Sequence, residues 1–323
     1  MGLRGSMDRT GQTRVSVIVP TYNRPQLLRV ALASIRHLEA PDLTFEILVG
    51  DNGSAPETPR IAAEFGAVYM KVTKRGASAA RNAGLRAATG EFIAFLDDDD
   101  AWMPSNIRPQ LALLDADASL DGALGQACTT DASLEQPGAP WPAQDPGRGD
   151  GLLRAMLSGY FPQLGTLVVR RRVRDLIGLF DEALIGGQDL DWQLRIARRR
   201  TLACTLVPVL LFRGRVHGSY DQLQYRRLWY DRFIFLRHSI PEWRIWTSPL
   251  HFLRAYKGTL QHPYWYFVTV TIAAAAAGQR KQALRAVRGA FSVFPLLTAV
   301  HLVTRRDFRR AILASALRLR TTA

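Results

Sequence analysis

The chain has 323 residues, of which 47% are hydrophobic and 22% are charged, a balance that excludes an intrinsically disordered protein and provides material for a core. Its two cysteines, Cys128 and Cys204, exclude a disulfide-rich scaffold and fit a reducing compartment. The net charge is +14, but residues 241–323 hold 13 Lys or Arg and only 2 Asp or Glu. The basic character therefore belongs to the C-terminal part of the chain.

Residues 1–14 are polar and basic and lack an apolar stretch of signal-peptide length, so we expect a flexible leader without a secretion signal. After them, strand patterns alternate with helical ones. Pro25 opens the first helical segment, and residues 75–88 predict another helix. Alternating strands and helices predict an α/β fold in which a mostly parallel sheet is flanked by helices on both faces. The predicted strands of this part are residues 15–19, 45–49, 67–70 and 92–96.

Four consecutive carboxylates, residues 97–100, follow the fourth predicted strand directly. Adjacent negative charges repel, so a folded protein places them together only with compensation. The carboxyl ends of strands are where open α/β sheets bind ligands, and polar turns also follow the first two strands. Hard divalent cations prefer carboxylate oxygens and often bridge to substrate phosphates. The sequence therefore predicts a metal-bridged diphosphate site at this edge, with a solvated acidic loop as the plain alternative.

The second part of the chain adds strands at 122–129, 164–169 and 206–212 and a helix that starts at Asp189. In that helix, Asp191 is expected to pair with Arg195 at the i,i+4 spacing, which is a structural role.

Beyond residue 220 the sequence changes to aromatic and basic helices. Residues 264–277 are uncharged but too weakly apolar for a spanning helix, so a buried or interfacial helix is predicted. Residues 279–294 and 305–320 combine Arg and Lys with apolar residues at helical spacing. Such helices either lie on an anionic bilayer surface or form an ordinary solvated helical region.

Taken together, five segments resemble a family 2 glycosyltransferase of the inverting GT-A type, over about residues 14–220. The segments are Val17–Arg24, Asp51–Ser54, Ala80–Gly84, Gly90–Asp100 and Gln188–Asp189. The resemblance implies the GT-A nucleotide-diphospho-sugar transferase fold, here with a C-terminal α-helical extension. The predicted domains are a flexible leader at 1–14, the GT-A domain at 15–220 that the resemblance implies, and a basic, aromatic-rich helical region at 221–323 that the resemblance does not cover.

The resemblance also implies the residues that bind the donor. The turn Pro20–Thr21–Tyr22 would line the base pocket, and Tyr22 would stack on the base. Asp51 and Asn52 would contact the base and ribose. Asn52 stands where many relatives carry a second acidic residue, but an amide oxygen also accepts from an N–H of the base. Arg81 would contact the nucleotide, or else form a helix-surface ion pair.

In the carboxylate run, the resemblance assigns Asp97 and Asp98 to the ribose and metal side and Asp99 to the metal as main ligand. Asp100 is instead expected to cap the next helix. The metal would be Mn²⁺ or Mg²⁺. His217 stands where several relatives place a histidine of the metal or diphosphate site, and an ordinary surface or core histidine is the alternative.

For the acceptor side, the resemblance makes Asp189 the general base, at the position of a Glu-Asp pair whose first member is here Gln188. Gln188, Trp192, Gly165 and Thr166 are expected near the acceptor, although Trp192 would also fit a core position.

The implied function is metal-dependent inverting transfer of a sugar from a UDP-, dTDP- or GDP-linked donor to a glycan or lipid-linked acceptor. The implied place is the cytoplasm, with peripheral binding to the inner face of the cell membrane. The alternative is a non-catalytic nucleotide-binding, membrane-associated module of the same fold. Nucleic acid is not an expected partner, because no nucleic-acid motif accompanies the positive charge. An oxidoreductase is disfavoured because Pro20–Thr21–Tyr22, not a glycine-rich turn, follows the first strand.

Overall fold

The structure, a computed structural model, describes residues 12–214 and 221–316. These residues fall into two compact units. The first takes the described parts of Met1–Met156 and Tyr160–Val216, and the second those of Leu157–Gly159 and His217–Ala323. The boundary at residues 220 and 221 stays a prediction, because residues 215–220 are not among those described.

The first unit is built on a mixed sheet. In the part of the chain that the structure describes, its strand order is β3-β2-β1-β4-β8-β6-β9-β5, and β7 pairs with β6. The strands are β1 (Thr13–Thr21), β2 (Leu43–Asp51), β3 (Val68–Lys71), β4 (Phe92–Phe95), β5 (Ala101–Trp102), β6 (Gly122–Thr130), β7 (Pro140–Trp141), β8 (Leu167–Arg170) and β9 (Leu202–Arg213).

The first four strands run parallel, as predicted, and their register aligns the ends of β1 and β2, because Thr21 pairs with Asp51. The other half of the sheet is not parallel throughout. β8 runs antiparallel to both β4 and β6, and β5 runs antiparallel to β9, whereas β6 and β9 are parallel. A fully parallel sheet would need a crossover at every connection. Here β8 lies between β4 and β6 and runs in the opposite direction, so the sheet is mixed.

Helices pack against this sheet. α1 begins with Pro25 at its first turn and buries one apolar stripe, Leu28, Ala31, Leu32 and Ile35, as its spacing predicts. That stripe joins alternate residues of β1 in the core. The remaining helices of this part are α2 (Glu57–Glu64), α3 (Ala77–Ala87), α4 (Arg108–Ala116), α5 (Asp150–Leu157), α6 (Arg172–Ile177) and α7 (Gln188–Ala197); α1 spans Pro25–Arg36.

The second unit is helical, with Tyr264, Phe267 and Phe308 fully buried in its core. Tyr264 and Phe267 lie on the helix predicted to be buried or interfacial. Among the described helices, none is long and apolar enough to cross a bilayer. The helices are α8 (Asp221–Ser239), α9 (Pro249–Ala276), α10 (Arg280–Val293), α11 (Pro295–Thr304) and α12 (Arg306–Ala316).

Two glycines let α3 approach the sheet closely. A Cβ atom at Gly84 would lie 2.5 Å from the side chain of Ile18 on β1, and one at Gly50 on β2 would lie 2.6 Å from the carbonyl oxygen of Ala80. Real Cβ atoms essentially never lie that close to another heavy atom, so both positions require glycine for lack of space. The close approach fixes the height of α3 above the ends of β1 and β2.

Gly84→Ala is expected to lower the free energy of unfolding by about 1–3 kcal/mol, the usual cost of forcing a methyl group into a filled core. Gly151→Ala in α5 is the matched control. A Cβ there would have no atom within 4 Å, and alanine favours a helix over glycine by up to about 1 kcal/mol. Urea unfolding measures both variants. An equal loss in the two, or no loss in Gly84→Ala, would contradict the close packing of α3 on β1.

Candidate active site

The carboxyl ends of β1, β2 and β4 lie at one edge of the sheet. Thr21 pairs with Asp51 across the first two strands, and the backbone N–H of Leu96, just after β4, donates to the carbonyl of Ile18 on β1. The carboxylate run begins at the next residue, Asp97. The polar turns after three neighbouring strands therefore meet at this edge, where open sheets bind ligands.

Arg81 on α3 is the buried cation of this edge. Its side chain is only 4% exposed, and its Nη2 donates to Asp97 Oδ1 at 2.6 Å. Burial lowers the pKa of Arg81, but the charges of Asp97, Asp189 and Asp98 outweigh it, so the pKa is raised and the guanidinium stays charged. Its Nε and Nη1 are buried and have no hydrogen-bond partner among the described residues. Such donors cost about 1–3 kcal/mol each when unsatisfied, so an anionic ligand is the natural acceptor.

Asp98 is held from the other side. Its carboxylate accepts from Thr21 Oγ1 at 2.7 Å and from Arg24 Nη1 at 3.2 Å. Burial raises its pKa to about 6; Thr21 and Arg24 oppose the shift, and the charges of Asp99 and Asp97 add to it. Asp98 is thus a buried carboxylate whose negative charge depends on nearby cations. Its contacts make it a support for the turns after β1 and β4.

Asp97, Asp99 and Asp100 can each offer one carboxylate oxygen within 4.8 Å of the others. Asp97 is the more accessible of the three, while Asp99 and Asp100 are buried. Arg24 Nη1 lies 3.0 Å from Asp99 Oδ2 and partly offsets the negative charge. A cluster of three carboxylates is the donor set that Mg²⁺ or Mn²⁺ prefers, so these residues fit the predicted metal.

The predicted role of Asp100 as a helix cap is wrong. The next helix, α4, begins only at Arg108, with Ile107 at its N-cap. Asp100 instead precedes β5 directly, and its Oδ1 accepts from the backbone N–H of Arg213 on β9 at 2.9 Å. The chain re-enters the sheet after the run, and this turns the fourth carboxylate back toward the first and third. Asp100 was not among the predicted metal ligands. The available signal was its place in the run of four carboxylates.

Asp51 is buried in its own turn. One carboxylate oxygen accepts from the backbone N–H of Gly53 at 2.6 Å and the other from the Tyr69 hydroxyl at 2.9 Å, and Lys71 Nζ lies 3.6 Å away. Burial and the bond to Asp51 raise the pKa of Tyr69 to about 12, so this hydroxyl stays a donor. Asp51 is only 1% exposed, so in this structure it shapes the turn and offers little surface to a base.

Tyr22 and Asn52 lie on two of these turns. Tyr22 is 54% exposed, unlike the buried Pro20 before it, so its ring is available for stacking. The Nδ2 of Asn52 donates to the carbonyls of Val72 at 3.1 Å and Lys74 at 2.7 Å. Because the amide nitrogen is used in this way, the amide oxygen is the end of Asn52 that can accept from a ligand.

Asp189 lies in the first turn of α7. The helix starts after Gly187, which has a left-handed backbone with φ of 68°. Asp189 Oδ1 accepts from the N–H of Leu190 at 2.9 Å, and helix N-termini favour acidic side chains. The charge of Asp189 also raises the pKa of Arg81, so the two side chains share one electrostatic site. The Oε1 of Gln188 is buried without a partner among the described residues.

The predicted pair of Asp191 and Arg195 is confirmed. Arg195 Nε donates to Asp191 Oδ2 at 3.1 Å, and Asp191 is fully buried. The rest of the guanidinium donates to the carbonyls of Ile177 at 2.9 Å and Leu179 at 2.7 Å. Through Arg195, Asp191 therefore holds α7 against the segment of Ile177 and Leu179, which is a structural role. Asp189 is not part of this network.

Trp192 belongs to the core, which decides between its two predicted positions. It has no exposed surface, its ring stacks on Phe180 and meets Phe95 edge to face, and its Nε1 donates to the carbonyl of Gly178 at 2.9 Å. With its faces and its donor engaged, Trp192 has nothing to offer an acceptor in this arrangement. Its assignment to the acceptor side is therefore corrected.

Thr166 is corrected for the same reason. It is 1% exposed, and its hydroxyl donates to the carbonyl of Gln163 at 2.8 Å. Gly165 contributes through its backbone, since its carbonyl accepts from Trp102 Nε1 at 3.0 Å. Their acceptor-side assignment came from their position in the chain, which does not reveal that their polar groups are used internally. His217 lies outside the described residues.

The mixed sheet and its flanking helices match solved structures of the GT-A nucleotide-sugar transferase fold. Residues 16–135 match the family described as Glycosyl transferase family 2. The match covers 120 of the 323 residues, so this part of the chain is similar to family 2 of the glycosyltransferases.

Among the similar curated proteins is UDP-Glc:alpha-D-GlcNAc-diphosphoundecaprenol beta-1,3-glucosyltransferase WfgD of Escherichia coli. It is 34% identical over 104 residues, which are 31% of this chain and 40% of that protein. The similarity to WfgD therefore covers less than half of either protein.

Two solved structures share the fold at low identity. TarS 1–349 of Staphylococcus aureus, in complex with UDP-GlcNAc, has a TM-score of 0.58 at 17% identity, covering 94% of this chain and 90% of that one. The mannosyltransferase PcManGT of Pyrobaculum calidifontis, in complex with GDP-Man and Mn²⁺, has a TM-score of 0.52 at 21% identity, covering 97% and 88%.

We expect Asp99→Asn to weaken Mn²⁺ binding by about tenfold or more, because it removes one carboxylate charge from a cluster of three. Asp175→Asn is the control, since that side chain lies on α6 and is 70% exposed. Isothermal titration with Mn²⁺, with and without UDP, measures both. Unchanged affinity in Asp99→Asn would remove Asp99 from the set of metal ligands.

Proposed function

We propose that this protein is a metal-dependent inverting glycosyltransferase that moves a sugar from a nucleoside-diphosphate donor to a hydroxyl group of a lipid-linked or glycan acceptor. The observation that carries the proposal is Arg81. Two of its donors are buried without a hydrogen-bond partner among the described residues, and its charge interacts with those of Asp97 and Asp189. A diphosphate satisfies those donors, and the two carboxylates then flank the reacting sugar.

The donor is held by the turns after the first strands. Tyr22 stacks on the base, and the amide oxygen of Asn52 accepts from a base N–H, which suits uracil or thymine. Arg81 donates to the diphosphate. UDP is the first choice among UDP, dTDP and GDP, because WfgD is named for a UDP-glucose donor and the TarS structure is a complex with UDP-GlcNAc.

Bond cleavage builds negative charge on the departing diphosphate. When bound at Asp97, Asp99 and Asp100, Mn²⁺ or Mg²⁺ neutralises that charge. Arg81 adds a fixed positive charge, and its burial strengthens the interaction because water does not screen it. PcManGT, whose structure contains Mn²⁺, supports the choice of manganese.

Asp189 acts as the general base. Its carboxylate takes the proton of the acceptor hydroxyl, the acceptor oxygen attacks the anomeric carbon, and the bond from that carbon to the diphosphate oxygen breaks on the other face. Attack opposite to the leaving group inverts the anomeric centre. The hydrogen bond from the N–H of Leu190 holds Asp189 Oδ1 in place, which leaves Oδ2 for the proton.

The acceptor is proposed to be lipid-linked, since the name of WfgD specifies a sugar on diphosphoundecaprenol. Such an acceptor lies at a membrane surface. The proposed location is therefore the cytoplasmic face of the cell membrane, with the protein bound peripherally.

Asp189→Asn is expected to lower the rate of sugar transfer by at least about a hundredfold, the lower end of what a general base contributes, while UDP affinity stays unchanged. Asp175→Asn again serves as the exposed control. Transfer is measured as UDP release from UDP-glucose in the presence of an undecaprenyl-diphosphate-linked sugar. Near-normal turnover by Asp189→Asn would exclude it as the base.

Arg81→Met should weaken UDP binding by about tenfold to a hundredfold, as expected for the loss of charged hydrogen bonds to a diphosphate. The control is Arg86→Met, which removes an exposed arginine from the same helix. Calorimetric titration with UDP gives the affinities, and thermal unfolding checks that both variants fold. If the two variants bind UDP equally well, the diphosphate does not lie at Arg81.

A further inference from the structure

Helix α8 is apolar on two opposite faces. One face is buried in the second unit, where Leu228, Ile234 and Phe235 are at most 5% exposed. The other is exposed and follows the i, i+4, i+7, i+11 spacing of a single helical stripe. We call it the α8 stripe, and its members are Trp229, Phe233, Leu236 and Ile240.

The α8 stripe is a continuous surface. Trp229 is 60% exposed and stacks on Phe233, with ring centroids 5.4 Å apart and planes within 4°. Ile240, at the end of the stripe, is 62% exposed, and its N–H donates to the carbonyl of Leu236 at 3.1 Å, so the helical turn continues to it. Large apolar surfaces of this kind on a folded protein mark interaction sites.

A second exposed stripe runs along α11. Leu296, Val300 and Val303 are 84%, 53% and 72% exposed at the i, i+4, i+7 spacing, and we call them the α11 stripe. Arg232 on α8 donates through Nη2 to the carbonyl of Ser292 near the end of α10, and α11 begins three residues later at Pro295.

The apolar excess is specific to this part of the chain. Eighteen large apolar side chains are exposed among the described residues, and eleven of them lie in residues 221–316. That range is less than half as long as residues 12–214, which hold the other seven. Such a concentration of exposed apolar surface indicates a binding partner, and the residues around the stripes indicate its chemistry.

Arginines border the α8 stripe. The guanidinium of Arg237 lies over the ring of Phe233 at 5.8 Å, and Arg232 lies on the opposite side of the stripe. Just beyond the helix, Arg244 lies over the ring of Trp243, which is 67% exposed. Apolar and aromatic side chains edged by arginine match the interface of an anionic bilayer, where rings lie at the headgroup level and cations meet phosphate.

Charge also argues against a second copy of the chain as the binding partner. Two copies joined through the α8 stripe would bring the arginines that border it near one another, and like charges repel. Helix α10 does not supply the apolar contact, because its apolar residues, such as Ala286 and Val293, face inward. The exposed Lys281, Arg285 and Arg288 of α10 instead add positive charge.

We propose that the α8 and α11 stripes dock the protein on an anionic lipid bilayer, with Trp229 and Phe233 inserted at headgroup level and the neighbouring arginines on lipid phosphates. The inference deepens the proposed function and rests on it in one respect, because a lipid-linked acceptor gives the enzyme a reason to stay at the bilayer. No step of the transfer reaction depends on the docking.

The test is flotation of the full chain with vesicles of phosphatidylcholine alone and with about 30% phosphatidylglycerol added, at low and high salt. The variants are Trp229→Ser with Phe233→Ser, and Leu296→Ser with Val303→Ser. The control is Leu176→Ser with Leu206→Ser, two residues of the first unit that are 50% and 48% exposed. Thermal unfolding establishes that each variant is folded.

We expect the unmodified chain to bind anionic vesicles, to bind them less at high salt, and to bind neutral vesicles weakly. Each stripe variant should lose binding by about tenfold or more, from the apolar surface removed, while the control stays within about twofold. Stripe variants that bind as well as the unmodified chain would overturn the proposal. So would a dimer in light scattering that the α8 variant dissociates, with no binding to anionic vesicles.

Release of UDP from a soluble donor, measured without vesicles, separates this inference from the proposed function. The stripe variants should match the unmodified chain in that assay, since they leave Arg81 and Asp189 untouched. Vesicle binding without any donor turnover supports the docking surface and overturns the transferase activity. Donor turnover without vesicle binding supports the transferase activity and overturns the docking surface.

Discussion

Four adjacent carboxylates at the end of β4 are the constraint on which the site depends. Left alone they would repel one another, and each one accepts a hydrogen bond from at least one donor. Asp97 binds Arg81, Asp98 accepts from Thr21, Arg24 reaches Asp99, and Asp100 accepts from the backbone of Arg213. The donors come from β1, the turn after it, α3 and β9. The run therefore fixes the position of elements that are far apart in sequence, and its remaining negative charge is where a divalent cation is favourable.

Arg81 is the member of this set whose position depends most on packing. A guanidinium 4% exposed is stable only if its distance to a carboxylate is short and constant, since desolvation of an ion costs several kcal/mol. The lack of side chains at Gly50 and Gly84 lets α3 lie against β1 and β2 and brings Arg81 to Asp97. The donors that stay unpartnered are a cost of that burial, which a bound anion would offset. The close packing of α3 on β1 and β2 therefore positions Arg81 for a bound anion.

Patterns with a local cause were predictable from the sequence. The strands of the first half, the apolar stripe of α1 and the pair of Asp191 with Arg195 follow from side-chain spacing alone. The antiparallel entry of β8, the burial of Trp192 and the turn of Asp100 toward Asp99 depend on the path of the chain between elements. Spacing carries no information on that path. The run of four carboxylates was visible, but which of them converge was not.

The C-terminal helices illustrate the same limit for surfaces. Composition pointed to the basic helices around residues 279–294 and 305–320, because charge can be counted without a structure. Exposure of large apolar side chains is instead concentrated on α8 and α11. A helix that is apolar on two faces has no clear amphipathic pattern, so sequence periodicity misses it. Only the packing shows that Phe235 is used by the core while Trp229 and Phe233 remain outside. Charge counted along a sequence therefore predicts attraction to a surface, and the packing of the helices decides which residues meet it.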